Sequence, residues 1–460
     1  MIITVLAFLL TLAVLIVVHE YGHYRVAVAC GVKVLRFSMG FGRVIWRRQS
    51  NPDATEFVLC ALPLGGYVRM LDEREGEVAP HEVDKAFNRK PLMQRVAIVA
   101  AGPLANLGLA VLLFASANWL GVSEPKAVLG APGAGSLAEA AGMRSGDWVR
   151  ATSGGDNGSG SDWQELRSLS DLRWRVTQSA TQSRPLQLQV SDRDGRGMRA
   201  LRLSLDRVGS GDIDAALIKT IGLGAAFSEP ILGEVKVGGP AALAGLKAGD
   251  RVLTVDGVVI VDGQQLRERI RGAVRGDVAL PQTWSVVRAG LTIEVTVTPR
   301  AVLESDRRVG RIDVFVGAAP EMLTVQYGAW EGVSKGAQRT WEVSALTLRM
   351  LGRMIIGEAS LKNLSGPLTI ADYAGQSVNQ GLVYYLGFLA LVSVSLGVLN
   401  LLPLPMLDGG HLMYYLFEGL TGRPVSDLWL ARLQRGGVAV LLVMMSVALF
   451  NDVARLLGLH

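Results

Sequence analysis

Residues 1–23 read MIITVLAFLLTLAVLIVVHEYGH, an apolar run from Met1 to Val18 closed by His19-Glu20-Tyr21-Gly22-His23. This stretch decides the fold. A run of that length predicts a helix able to cross the ~30 Å of bilayer hydrocarbon. Residues four apart on a helix lie on one face, one turn apart, so the imidazoles of His19 and His23 can share a Zn²⁺ ion. Glu20, beside the first histidine, then stands where a general base for an attacking water is needed. In a soluble metalloprotease such a helix would be amphipathic, whereas this one is apolar along its length. Ionisable groups cost about 2.5–3.5 kcal/mol or more each at the bilayer centre, so they mark a functional site there.

The chain has 460 residues, half of them hydrophobic and 19% charged, with a net charge of +5. The apolar excess lies towards the two ends, which predicts a membrane protein with a polar middle. No long Lys/Arg block points to nucleic acid. Two cysteines, Cys30 and Cys60, exclude a disulfide framework. The apolar start has no basic n-region and outruns a signal peptide's h-region, and Ala27-Val28-Ala29-Cys30-Gly31 only faintly resembles a lipoprotein cleavage site. A retained span is the expectation.

Four segments are long and apolar enough to span as helices: 2–24, 96–119, 383–404 and 434–453. The fold class expected is a polytopic α-helical membrane protein with an α+β insertion between spans two and three. The domains are 1–24, the first span; 25–95, a cytoplasmic loop with a membrane-associated β-hairpin; and 96–119, the second span. Modules follow at 127–220 and 221–305, then a helical extracytoplasmic or interfacial segment at 320–380. The third span with its Asp408 motif occupies 383–408, and the fourth 434–453. Loop 25–95 is rich in Arg and Lys, which the positive-inside tendency places in the cytoplasm. Both termini and the 120–380 region then face outward. Spans one and three run in the same direction, so Asp408 arrives at the depth of the histidine pair.

The middle contains a repeat. Ala141-Gly142-Met143-Arg144-Ser145-Gly146-Asp147-Trp148-Val149 matches Ala244-Gly245-Leu246-Lys247-Ala248-Gly249-Asp250-Arg251-Val252, each followed by a helical stretch and alternating strands. A turn, helix and hairpin present twice is a small α+β module in tandem. The pattern resembles the PDZ domain of bacterial proteases. The first copy carries a Gly/Ser-rich insert at Ser153–Ser161 and is the more degenerate.

A catalytic zinc takes three protein ligands and keeps one position open. His19 and His23 supply two, and Asp408, beside Gly409 and Gly410 at an apolar helix end, is the best third. The competing reading makes HExxH a chance pentapeptide and Asp408 an unrelated helix-end residue; placement inside a span at matched depth favours the metal. His411 reads as structural, and His81 and His460 lack spacing partners. Asn400 either hydrogen-bonds substrate or an oxyanion, or makes an interhelical bond that only supports packing. Pro403 and Pro405 break the helix and leave backbone groups that are tolerated only beside a cavity or protein, a docking place for unwound substrate. The stretch Glu56–Met70 reads as a hairpin turning near Gly65-Gly66: either a sheet dipping into the membrane whose edge offers β-addition to an extended substrate, or an ordinary cytoplasmic hairpin.

Together, HEYGH, the LPLGGYV hairpin, Ala101-Gly102-Pro103 with Asn106, the tandem modules, Asn363-Leu364-Ser365-Gly366-Pro367 and the run Asn400–Gly410 resemble the site-2 protease family over essentially the whole chain. The resemblance implies a zinc intramembrane endopeptidase of the Gram-negative inner membrane, with His19, His23 and Asp408 as ligands and Glu20 catalytic. It further implies single-pass substrates cut after a first extracytoplasmic cleavage (an anti-sigma factor of the envelope stress response, remnant signal peptides) and PDZ modules that act as a size filter or take peptide ligands. Two rivals are a non-catalytic adaptor with a structural metal and a metal transporter. Glu20 at the base position argues against both.

Overall fold

The computed structural model describes residues 2–154, 163–207, 220–304, 307–356 and 366–456. The chain divides into two units, Met1–Val122 with Gln326–His460, and the inserted Ser123–Val325.

Helix α1 (Ile2–Ala29) is the apolar run continued through both histidines; it stops before Gly31, which takes φ +70°. Strands β1 (Val34–Arg48) and β2 (Glu56–Met70) form one sheet. Here the structure corrects the sequence expectation. The halves of Glu56–Met70 do not pair with each other; both pair with β1, Met39 standing opposite Gly66 and also opposite Leu59. Beyond Gly40 the sheet is an exposed apolar tip carrying Phe41, Ile45 and Trp46. Helix α2 (Leu92–Leu120) follows Pro91 and contains Pro103, which has no N–H for the carbonyl one turn back.

The inserted unit holds two modules of one plan. The first comprises α3 (Leu137–Ala140), β3 (Trp148–Ser153), α4 (Leu169–Thr181), β4 (Leu186–Ser191) and β5 (Arg199–Leu203). The second comprises α5 (Pro240–Leu243), β6 (Arg251–Val255), α6 (Gly263–Gly272), β7 (Gln282–Arg288) and β8 (Leu291–Val297). Each sheet has four antiparallel strands in the same order, a two-residue edge, then β3-β4-β5 or β6-β7-β8. Each module closes its own core: Leu172, Leu188 and Leu203 in one, Leu266, Trp284 and Val297 in the other. An ion pair recurs as well. Arg199 donates to Asp147 and the Gly142 carbonyl, and Arg288 to Asp250 and the Gly245 carbonyl, from non-equivalent strand positions. Burial works against the Asp250 charge, yet the Arg288 guanidinium and the Lys247 N–H hold its carboxyl below the usual range. Ile221 lies in the first core, and Ile312 and Val316 in the second, so both modules reach past the boundaries at 220 and 305. Most of the Ser153–Ser161 insert lies outside the described residues.

The first unit resumes with α7 (Ala329–Ile355), α8 (Pro367–Gln380), α9 (Leu382–Asn400), α10 (Asp408–Thr421) and α11 (Asp427–Leu456). Among the described residues, four helices are long and apolar enough to cross a membrane: α1, α2, α9 and the Leu428–Ala454 part of α11. Helix α9 buries Ala390, Val394 and Val398 against Ala110 of α2. The amphipathic α7 comes so close to α2 that a Cβ on Gly336 would lie 2.7 Å from the Val111 carbonyl oxygen. Of the Asn363–Pro367 motif, 363–365 fall outside the described residues. Gly366 caps α8, with Asp452 of α11 accepting from the Gly366, Leu368 and Thr369 amides.

A second correction concerns the third span. It ends at Asn400, not 404 or 408, because Pro403 and Pro405 supply no N–H to prolong the helix. Residues 401–407 form turns, and Asp408 opens a new helix rather than closing the old one. Gly409 and Gly410 permit this. A Cβ there would lie 2.2 Å from the Leu402 and 2.3 Å from the Leu404 carbonyl oxygen.

Candidate metal centre

Helix α1 presents His19 and His23, one turn apart and both buried, towards α2. The His23 Nδ1–H donates to the Ile98 carbonyl at 2.8 Å. A carbonyl only accepts, so this bond leaves the Nε2 lone pair of His23 pointing inward. The two Nε2 atoms lie 3.2 Å apart. From the start of α10, Asp408 brings Oδ2 to 3.1 Å from His19 Nε2 and Oδ1 to 3.6 Å from His23 Nε2. One ligand atom from each of the three residues lies within 4.8 Å of the others, the one such group among the described residues.

Glycine at position 102 makes room for the rings: a Cβ there would stand 2.2 Å from His23 Nε2 and 2.8 Å from His19 Cε1. Glu20 borders the cluster on the side of β2. The same strand passes so close that a Cβ on Gly66 would meet Glu20 Cγ at 3.0 Å. Gly65 adjoins the Phe41 ring. The sheet therefore runs along the Glu20 side of the cluster.

The other candidates separate. Asn400 is half-buried at the end of α9, and Pro403 and Pro405 lie in the turns leading to Asp408. His411 stacks edge-on against Tyr414 with ring centroids 5.9 Å apart and is not in the cluster. His81 is exposed, and His460 lies outside the described residues. Sequence reasoning gave no role to Asn106, whose buried side chain lies 3.2 Å from His19 Nδ1. An amide near the middle of an apolar span, four residues from Gly102, is the available signal.

Three acceptor groups aimed at one point, with the Glu20 carboxylate alongside, are a donor set that suits a metallohydrolase. Comparison with known proteins agrees. The model of peptidase family M50 matches residues 7–444. A Ralstonia nicotianae protein provisionally designated a zinc metalloprotease is 40% identical over 99% of both chains. The regulator of sigma-E protease RseP of Salmonella typhimurium is 38% identical, and that of Escherichia coli 36%, each over 98% of both chains. The chain belongs to peptidase family M50, the site-2 protease family. It is a metalloendopeptidase, and zinc is its cofactor. The residues fit that ion. The Ile98 bond gives His23 the tautomer of a ligand, and a carboxylate and a second imidazole converge on its lone pair.

Proposed function

We propose that this protein cuts peptide bonds within membrane-embedded segments of single-pass proteins, with His19, His23 and Asp408 as zinc ligands and Glu20 as general base. The observation that carries the reading is the meeting of donors from α1 and α10 within 4.8 Å, in a unit that contains four helices apolar enough to span. Zinc, when bound, supplies Lewis acidity for the scissile carbonyl and acidifies water. Glu20 takes the proton of the attacking water and returns it to the leaving amine as the C–N bond breaks. Helical peptide bonds are shielded, so substrate must be unwound. The β2 strand at Gly65 and Gly66 offers backbone for strand addition, and the turns around Pro403 and Pro405, with Asn400, border the path.

The relatives named as regulators of the sigma-E pathway support an equivalent role: second cleavage of an anti-sigma factor after an extracytoplasmic cut, and removal of remnant signal peptides. The basic 25–95 loop supports an inner-membrane orientation with the centre towards the cytoplasm. The two inserted modules are then PDZ-like domains in the periplasm that reject uncut substrates by size. The test is purified Glu20→Gln, assayed for zinc content and for cleavage of a single-span reporter. Zinc should be retained and cleavage lost; unimpaired cleavage overturns the assignment.

A further inference from the structure

We propose that Asn106 is a positioning residue for the metal centre: its Oδ1 accepts the Nδ1–H of His19 and so fixes the tautomer whose Nε2 lone pair faces Asp408 and His23. The inference rests on His19 being a ligand. Asn106 is fully buried on α2, with its amide set so that Nδ2 stands 3.2 Å from His19 Nδ1 and Oδ1 has no partner among the described residues. An amide can be turned end for end in place, and the hydrogen-bond network chooses between the two settings. With NH₂ towards His19, Nδ1 must accept, the ring proton moves to Nε2, and that N–H points at His23 Nε2, 3.2 Å away. His19 is then no ligand. With Oδ1 towards His19, the proton sits on Nδ1 and Nε2 is free.

His23 shows the pattern to match. The Ile98 carbonyl can only accept from His23 Nδ1, so its Nε2 is already free. The two rings become equivalent only when Asn106 presents its oxygen to His19 as Ile98 presents its own to His23. Either amide setting leaves one amide end without a protein partner among the described residues. A count of hydrogen bonds therefore does not choose between them, and the ligand role of His19 does. The amide is also held at its backbone. Ser393 of α9 donates to the Asn106 carbonyl at 2.7 Å. One turn back, Gly102 lets the histidine rings lie against α2. Metal-bound imidazoles generally give their second nitrogen to an acceptor, and losing that acceptor weakens metal binding about 10–100-fold.

The test uses the full-length protein in detergent as parent, Asn106→Asp, Asn106→Leu and His19→Ala. Zinc affinity is read by chelator competition, and His19 protonation from ¹⁵N-imidazole spectra. Only five histidines are present to assign. Asp is an obligate acceptor at this position and should keep parental affinity. Leu has similar volume and no acceptor, so it should lose about 10–100-fold. The parent should show His19 protonated at Nδ1. Parental affinity in Asn106→Leu, equal loss in Asn106→Asp and Asn106→Leu, or an unprotonated Nδ1 in the parent each overturn the proposal. If Asn106→Leu does not fold, the Asp variant and the parent's spectrum decide it. Parental affinity in His19→Ala would instead refute the ligand reading beneath it.

Discussion

Gly102→Ala adds a single methyl group and should disable the centre. The new Cβ would lie 2.2 Å from His23 Nε2, 2.6 Å from His23 Cε1 and 2.8 Å from His19 Cε1. Carbon at ordinary contact stands about 3.5 Å away, so something must yield by more than 1 Å. His23 cannot swing aside without breaking its bond to the Ile98 carbonyl. The strain falls on the ring positions or on the spacing of α1 and α2. A misplacement of roughly 1 Å in a catalytic constellation costs on the order of 10²-fold in rate, about 2.7 kcal/mol of barrier. Overpacking lowers stability by a further 1–3 kcal/mol, roughly. The control is on the same helix. A Cβ on Gly108 would meet nothing within 4 Å. Gly108→Ala should therefore leave activity alone and stabilise the helix by about 0.5–1 kcal/mol. The assays are zinc affinity by chelator competition, kcat/KM on a single-span reporter, and thermal unfolding of both variants. Unchanged zinc affinity and kcat/KM in Gly102→Ala would refute the close packing of α2 on the histidine pair.

Asp452→Ala removes the acceptor of three backbone amides and the Thr369 hydroxyl at the start of α8. It should cost about 1–3 kcal/mol and speed hydrogen exchange at Gly366, Leu368 and Thr369, with Asp452→Asn milder; parental exchange in the Ala variant would show the cap to be idle. Arg288→Leu strips the buried Asp250 carboxylate of its main partner and should destabilise the second module by about 1–3 kcal/mol at neutral pH. The pH dependence has a definite sign. In the parent, the lowered Asp250 carboxyl adds stability that is present above the unfolded value near 3.9 and lost as pH falls through the folded value. The variant never has that stability, so the gap between the two proteins should narrow on acidification. Hydrogen exchange across Leu232–Val316 of the intact chain measures it, and a gap independent of pH would remove Asp250 as the cause.

The features legible in the sequence were those carried by local pattern. Residues 1–23 specify a helix and place two imidazoles on one face whatever the rest of the chain does. The A-G-x-x-x-G-D repeat reappears as two modules with the same strand order. Non-local pairing was not legible in the same way. Glu56–Met70 has the composition of a hairpin, but whether its halves pair with each other depends on Val34–Met39, which inserts between them. The arginine that neutralises Asp147 comes from the start of β5, whereas the one facing Asp250 comes from the end of β7, so no constant offset in the chain reveals the equivalence. The part played by Asn106 depends on a partner in another helix, and its own surroundings read only as an apolar span.

The break before Asp408 matters beyond its missed boundary. Hydropathy averages over Leu401–Leu407 and is blind to the absence of N–H groups on Pro403 and Pro405, so the span appears to run on. Had it done so, Asp408 would sit at a helix C-terminus, where unpaired carbonyls repel a carboxylate. In the structure it stands in the first turn of α10. There the positive end of the helix dipole favours an anion by about 0.3–1 kcal/mol, and by up to ~2 kcal/mol when partly buried. The break between α9 and α10 thus offsets part of the cost of holding a carboxylate against two buried imidazoles. Gly409 and Gly410 are what let the turn fold tightly enough for that helix to start where it does.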